Sequence, residues 1–177
     1  MDSFAVMGFS NDVESLNADP VDAHPENQMR GIRFVDGMEA NGGTYMMRAV
    51  EAALRMAPDP ARQRFVVFIT DGAVANDDQL VRAIGQVGNG VTVVTVGIGA
   101  APNRYLLDEM AAAGGGVATY VTLHEHAGNA VARVLKAMER PAMSQVNVDW
   151  GAWQTDEVWP RRIPDLFPGK PLQLIAK

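Results

Sequence analysis

The chain has no cysteine among its 177 residues, no surplus of basic residues and no long apolar run. Without Cys there is no disulfide framework, no thiolate nucleophile and no Cys-based zinc site. Fifteen Lys+Arg stand against 21 Asp+Glu, so the electrostatic footprint of a general nucleic-acid binder is missing and no nucleic-acid partner is expected. The apolar runs are too short to cross a bilayer, which excludes membrane insertion through a spanning helix. The opening Met1-Asp2-Ser3-Phe4 has no basic region before an apolar stretch, so no signal peptide is expected. Positive charge is also scarce in an uneven way. Residues 1–29 hold six acids (Asp2, Asp12, Glu14, Asp19, Asp22, Glu26) and no Lys or Arg, whereas from Arg30 onward acids and bases balance at 15 each.

What is present is ordinary globular material, 47% hydrophobic and 20% charged. A chain of this length fits one domain with a short appendage and can bury roughly 70% of its unfolded surface. Three apolar runs read as strands: Phe4–Phe9, Phe65–Ile69 and Val91–Val96. Their β-branched and aromatic content suits strands covered on both faces, as in a parallel sheet between helices. Val117–Val121 is a weaker run, expected at an edge.

Helical patterns lie between them. Pro25 suits a first helical position, followed by Met29, Ile32, Val35 and Met38. Met47, Val50, Leu54 and Ala57 follow the spacing of one buried stripe, stopped by Pro58. Asn76 with Gln79 forms a capping box for a helix through Val87. Pro102 opens another helix, with Leu106 and Met110 inward and Gly114-Gly115-Gly116 ending it. Ala127, Val131, Val134 and Met138 mark the last, closed by Pro141. This alternation predicts an α/β fold, a doubly wound, mostly parallel sheet flanked by helices, with ligands expected at the carboxyl ends of the strands. Residues 1–141 form that domain. Residues 142–177 read as a C-terminal β extension or the start of a next module, with a strand at Val146–Trp150, three Trp (150, 153, 159) and four prolines.

Two segments place oxygen donors at the strand ends. Phe68-Ile69-Thr70-Asp71-Gly72 sets a carboxylate directly after a buried strand, and Asn41-Gly42-Gly43-Thr44 sets a hydroxyl at a helix opening. Hard oxygen ligands of this kind suit Mg²⁺. Each segment alone is equally a turn or an N-cap. Together with Val94-Thr95-Val96-Gly97-Ile98-Gly99, in this order, they resemble a von Willebrand factor A domain. The tail from Val158 to Leu172 is similar to the stretch after that domain in inter-alpha-trypsin inhibitor heavy chains and their bacterial relatives.

The resemblance implies a Rossmann-like fold and a non-enzymatic adhesion or protein-interaction role. It also implies an exported or cell-surface setting and a metal-ion-dependent adhesion site that captures an acidic side chain of a protein partner. Thr44 then supplies the second metal loop and Asp71 the third. The family's first loop, Asp-x-Ser-x-Ser, occurs nowhere in this chain. By the resemblance, the first strand, its metal loop and the first helix are missing, and Mg²⁺ is expected to bind weakly at best. Tyr45 is a second departure, since a small or polar residue is commoner after that Thr. The strands at Phe4–Phe9 and Phe65–Ile69 lose the neighbour between them. They are expected either to pair directly or to take a segment of another chain, as a homodimer or by strand exchange.

Other readings compete. Val96-Gly97-Ile98-Gly99-Ala100-Ala101-Pro102 partly imitates a dinucleotide fingerprint, which keeps a nucleotide-binding α/β enzyme as an alternative; the third glycine is replaced by Pro102, and a tight, closely packed turn explains the segment better. A purely structural scaffold with a dead metal site is a third reading. His124-Glu125-His126 could ligate metal but fits a solvated helix start. The Trp cluster is expected to fill a core more than to bind a partner.

Overall fold

The computed structural model describes residues 1–39, 43, 45–56, 59, 61–71, 78–86, 91–138, 146–161, 163, 166 and 171–177. They divide into two compact units, Met1–Pro58 and Asp59–Lys177.

In the first unit the expected Phe4–Phe9 strand is broken in two. Four short strands, β1 (Ser3–Phe4), β2 (Met7–Phe9), β3 (Val13–Ser15) and β4 (Val21–Asp22), make antiparallel pairs, β1 with β4 and β2 with β3. The polar Ser10-Asn11-Asp12 stretch turns the chain back, with the Ser10 N–H donating to Asp12 O at 3.0 Å. Local antiparallel return satisfies the backbone groups that the apolar run alone assigned to a parallel sheet. Direct pairing of this run with Phe65–Ile69 is not among the sheets of the described residues.

Helix α1 (Pro25–Asp36) begins on Pro25 as expected, but Met29, Ile32, Val35 and Met38 are all exposed. A strict three-residue spacing drifts about 60° per step around a helix of 3.6 residues per turn, so these four cannot share one face. The buried position is Gly31, whose missing side chain admits the Phe4 ring. Helix α2 (Met46–Arg55) buries Met46, Ala49 and Val50 and packs on β2 and β3. Of the expected stripe Val50 is buried, Met47 and Leu54 are half-buried and Ala57 lies outside the described residues, while Met46 and Ala49 add a buried flank that the spacing did not give.

The second unit carries the parallel sheet. Strands β5 (Arg64–Thr70), β6 (Val91–Ile98) and β7 (Ala118–Val121) lie in the order β5-β6-β7, all parallel, in register from Arg64↔Val91 to Thr70↔Gly97 and from Thr95↔Ala118 to Ile98↔Val121. The central β6 is buried from Val91 to Gly97. Helices α3 (Asp78–Gly85) and α4 (Arg104–Ala113) pack on each other, and α4 lies on β6 through Leu106, Leu107, Met110 and Ala111. The Thr95 hydroxyl, fully buried in β6, donates to Leu107 O at 2.9 Å and so avoids an unsatisfied polar group. After α4 the chain runs against the sheet, where a Cβ on Gly116 would stand 2.1 Å from Val93 O. The expected capping asparagine of α3, Asn76, lies outside the described residues.

Helix α5 (Ala127–Ala137) touches β6 and β7, but it presents Ala130 to them while Val131 and Leu135 face solvent. The expected inward set was therefore rotated by about 100° at Val131. Beyond it, Val146–Trp150 is irregular chain rather than a strand, and regular pairing falls at β8 (Val158–Trp159) with β9 (Ile175–Ala176). Two of the three tryptophans, Trp153 and Trp159, are 77% and 57% exposed, so they do not fill a core. A two-stranded pair has one inner side at most, and its short length leaves wide rings uncovered.

Candidate functional site

The carboxyl ends of β5, β6 and β7 come level because the register pairs Thr70 with Gly97 and Ile98 with Val121. Asp71 follows Thr70 directly. Thr70 is buried and Asp71 is exposed, so the chain leaves the sheet at this residue and presents its carboxylate at the strand end. This is where the sequence placed it. Thr44, the other expected ligand, lies outside the described residues.

Its flanks are informative within the first unit. The Gly43 N–H donates to the Asn11 side-chain oxygen at 2.7 Å, and the Tyr45 N–H donates to Ser10 O at 2.9 Å. Arg48 donates to Asn11 O at 3.1 Å and pairs with Asp12. The turn between β2 and β3 thus ties down Gly43 and Tyr45 by side chain and backbone. Sequence reasoning missed this role of Ser10-Asn11-Asp12. The available signal was the turn chemistry of Asn-Asp after a strand.

The loop after β6 answers the dinucleotide question. A Cβ on Gly97 would stand 2.9 Å from each of Leu107, Pro102 and Tyr120, so the glycine is filled around by side chains of its own fold rather than by a ligand. The Gly99 N–H donates to Val121 O at 2.9 Å, and Asn103 caps α4 by accepting from the Leu106 N–H at 3.1 Å. Two backbone donors at this turn, the Gly99 and Leu106 N–H groups, are thereby committed to the fold. The helix begins at Arg104, two residues later than the sequence suggested from Pro102.

Tyr120 on β7 is held by three contacts. Its hydroxyl donates to Asp108 at 2.7 Å with Arg104 O at 3.1 Å, and the Arg104 guanidinium lies 4.2 Å from the ring centroid. Burial, and then the Asp108 carboxylate, push its phenol well above the usual range. Nearby, His126 caps α5 by accepting from the Gly128 N–H at 3.2 Å, so Nδ1 is committed to the helix. Glu125 pairs with Arg133, whose guanidinium holds the carboxyl below its ordinary value. The His124-Glu125-His126 segment is therefore a helix start. No group of three or more His, Cys, Asp or Glu side chains able to hold a metal occurs among the described residues.

The profile of the von Willebrand factor type A domain matches residues 1–120, and the chain belongs to that family. A von Willebrand factor A domain-containing protein of Dictyostelium discoideum is 30% identical over 97% of this chain and 8% of its own length. Among solved structures, the von Willebrand factor type A protein from Catenulispora acidiphila superposes with a TM-score of 0.63 at 23% identity, covering 77% of this chain and 34% of that one. The mussel byssus proximal thread matrix protein 1, solved with a zinc-occupied metal-ion-dependent adhesion motif, gives 0.52 at 22% identity over 68% of this chain and 30% of its own. The chain spans less than a fifth of the length of the curated relatives it matches, 8%, 19% and 14% for three of them. The likeness to these structures establishes the α/β fold with its parallel sheet and flanking helices. Domains of this type are generally protein-interaction modules.

Proposed function

We propose that this chain is a non-enzymatic protein-interaction domain of the adhesion type that meets its partner at the carboxyl ends of β5–β7. The observation that carries the reading is Asp71, an exposed carboxylate set directly after the buried end of β5 and level with the end of β6. Such a position lets a rigid sheet aim one oxygen donor at a ligand. The seat filled around Gly97 favours this reading over nucleotide binding.

The donor set bears on the metal. Asp71 is one described carboxylate, and a Mg²⁺ ion wants six oxygens in near-octahedral array. One carboxylate with Thr44 does not fit a closed protein site, so the ion is at most an accessory held largely by water, and the partner's acidic side chain is not required to reach it. The reading also takes residues 1–141 as the interaction domain and 142–177 as an extension similar to that of inter-alpha-trypsin inhibitor heavy chain-like proteins. The exposed Trp153 and Trp159 belong to that extension.

Thermal unfolding with MgCl₂ against EDTA tests the metal question. The expected shift is about a degree or less for the wild type. A shift of several degrees, lost in both Thr44→Ala and Asp71→Ala, would show a built site. For the interaction itself, amide chemical shifts can be followed while an acetylated aspartyl peptide is added with Mg²⁺ present. Movement confined to Asp71 and the loops after β6 and β7 supports the strand ends as the contact. ATP or NAD moving the same amides at micromolar concentration would favour the enzyme reading instead.

A further inference from the structure

We infer that Asn11 is a positioning residue for Thr44, holding Gly43 and Tyr45 on either side of it without a cation; this deepens the reading above and rests on Thr44 being an oxygen donor of that contact.

The turn between β2 and β3 offers four acceptors to one short stretch that lies 32 to 37 residues later in the chain. Asn11 supplies two of them. Its side-chain oxygen accepts from the Gly43 N–H at 2.7 Å, and its backbone O accepts from Arg48 at 3.1 Å. Ser10 O accepts from the Tyr45 N–H at 2.9 Å, and the Asp12 carboxylate pairs with Arg48. The two residues that flank Thr44 in the sequence are therefore fastened to the same turn, and every partner belongs to the first unit.

The energetics of these bonds point to local geometry more than to global stability. Asn11, Asp12, Gly43, Tyr45 and Arg48 are all exposed, and hydrogen bonds and ion pairs in solvent add little to the stability of the whole. Helix α2 does not depend on them for anchorage, because Met46, Ala49 and Val50 already bury one face of it. What they do fix is backbone that would otherwise lose conformational entropy on meeting a ligand. Gly43 shows how closely the anchor is fitted. A Cβ there would stand 3.3 Å from the Asn11 side-chain oxygen and 3.4 Å from the Tyr45 ring, so the residue is seated between carboxamide and ring. Asn at position 11 supplies the acceptor without setting a second carboxylate beside Asp12. Anchors on both flanks of a hydroxyl let a contact form there at lower ordering cost.

Amide exchange in the full chain tests the anchor, and peptide affinity tests its role. The Gly43 and Tyr45 amides are expected to be as protected in EDTA as in MgCl₂. Asn11→Ala should speed exchange of the Gly43 amide about tenfold, leave the Val50 amide of α2 unchanged and lower the melting temperature by about 3 °C or less. With an acetylated aspartyl peptide and Mg²⁺ as the probe, Asn11→Ala should weaken binding about fivefold, and Asn11→Asp should restore it because the carboxylate keeps the acceptor. A role in folding alone would leave the affinity and its rescue unmoved. Gly43 protection that appears only with MgCl₂ would overturn the inference, as would an affinity that Thr44→Ala lowers and Asn11→Ala does not. If Thr44→Ala itself left the affinity unchanged while Asn11→Ala still freed the Gly43 amide, the reading of Thr44 would fall and the anchor would stand.

Discussion

Strands β5 and β6 are nearly interchangeable as sequences, Phe65-Val66-Val67-Phe68-Ile69 against Val91-Thr92-Val93-Val94-Thr95-Val96, yet the structure treats them differently. In β6 even the two threonines are buried, one donating to Leu107 O and one accepting from the Gln63 side chain at 2.9 Å. In β5 most side chains are half-buried and Ile69 is largely exposed. Apolar content alone therefore does not set burial. Among the described residues β6 has a strand on both edges and a helix against it and loses its solvent, whereas β5 pairs with β6 and keeps part of it.

Mutations should separate the two strands by energy, and the largest effect belongs to the centre. Val94→Ala removes fully buried methyl groups from β6 and is expected to cost about 2–3 kcal/mol, whereas Ile69→Ala on β5 should cost under about 1 kcal/mol in the monomer. Urea unfolding midpoints measure both, and equal losses would break the contrast. Next is Thr95→Val, which keeps shape but removes the hydroxyl that satisfies Leu107 O. The expected loss is about 1–2 kcal/mol, with no parallel effect from any threonine on the exposed surface.

At β7 the comparison can be sharpened by pH. Tyr120 has its phenol raised by burial and by Asp108, so its neutral form is favoured in the folded state. That stability is fully present below the ordinary phenol value and is lost as pH rises through the higher folded value. Tyr120 should therefore give no tyrosinate absorbance until pH passes well above the ordinary phenol range or the protein unfolds. Tyr120→Phe should cost about 1 kcal/mol at neutral pH and remove the tyrosinate absorbance that appears only on unfolding. Ionisation of Tyr120 in the folded protein at the ordinary phenol value, read as the difference between wild type and Tyr120→Phe, would contradict its packing against α4.

Much of the second unit was legible in the sequence because its signals are local and strong. Three β-branched runs, a helix opened at Pro102 and ended by Gly114-Gly115-Gly116, and the Asp71 strand end emerge from spacing alone, the helix start falling two residues late at Arg104. What failed depended on which neighbours an element finds. The Phe4–Phe9 run reads as one parallel strand, but the turn at Asn11-Asp12 returns the chain at once and pairs it antiparallel. The Val131 stripe of α5 has the right period but the wrong phase, since a moment fixes amphipathicity and not which of two adjacent faces meets a sheet. Trp153 and Trp159 misled because large aromatic side chains were assigned a core, and their short strand pair supplies none. The position of Asp71 at a strand end was legible, and the anchoring of Gly43 and Tyr45 by the β2–β3 turn was not, because it joins residues distant in sequence.

The smallest effect lies at the start of α5, where the fold is joined to its surface. Arg133 reaches back to both Glu125 and Tyr120 O, at 3.0 Å for the latter, so one guanidinium ties the helix to the end of β7. It holds the Glu125 carboxyl below the ordinary carboxylate range, and a lowered folded value means that the contribution is present above that range and lost as pH falls through the folded value. The Arg133 side chain is 44% exposed and the Glu125 side chain 19%, so the pair sits at the surface and its contribution is small and partly screened by salt. Glu125→Gln should leave the melting temperature nearly unchanged at neutral pH in high salt, lower it slightly in low salt, and flatten its decline below about pH 4.5. Arg133→Lys keeps the charge but loses the fork that spans two acceptors, so it should retain the salt dependence while loosening the helix start, read as faster hydrogen exchange at Gly128 and Asn129. If Arg133→Lys left that exchange untouched, the guanidinium would be acting as a point charge alone, and the tie between α5 and β7 would rest on the His126 cap.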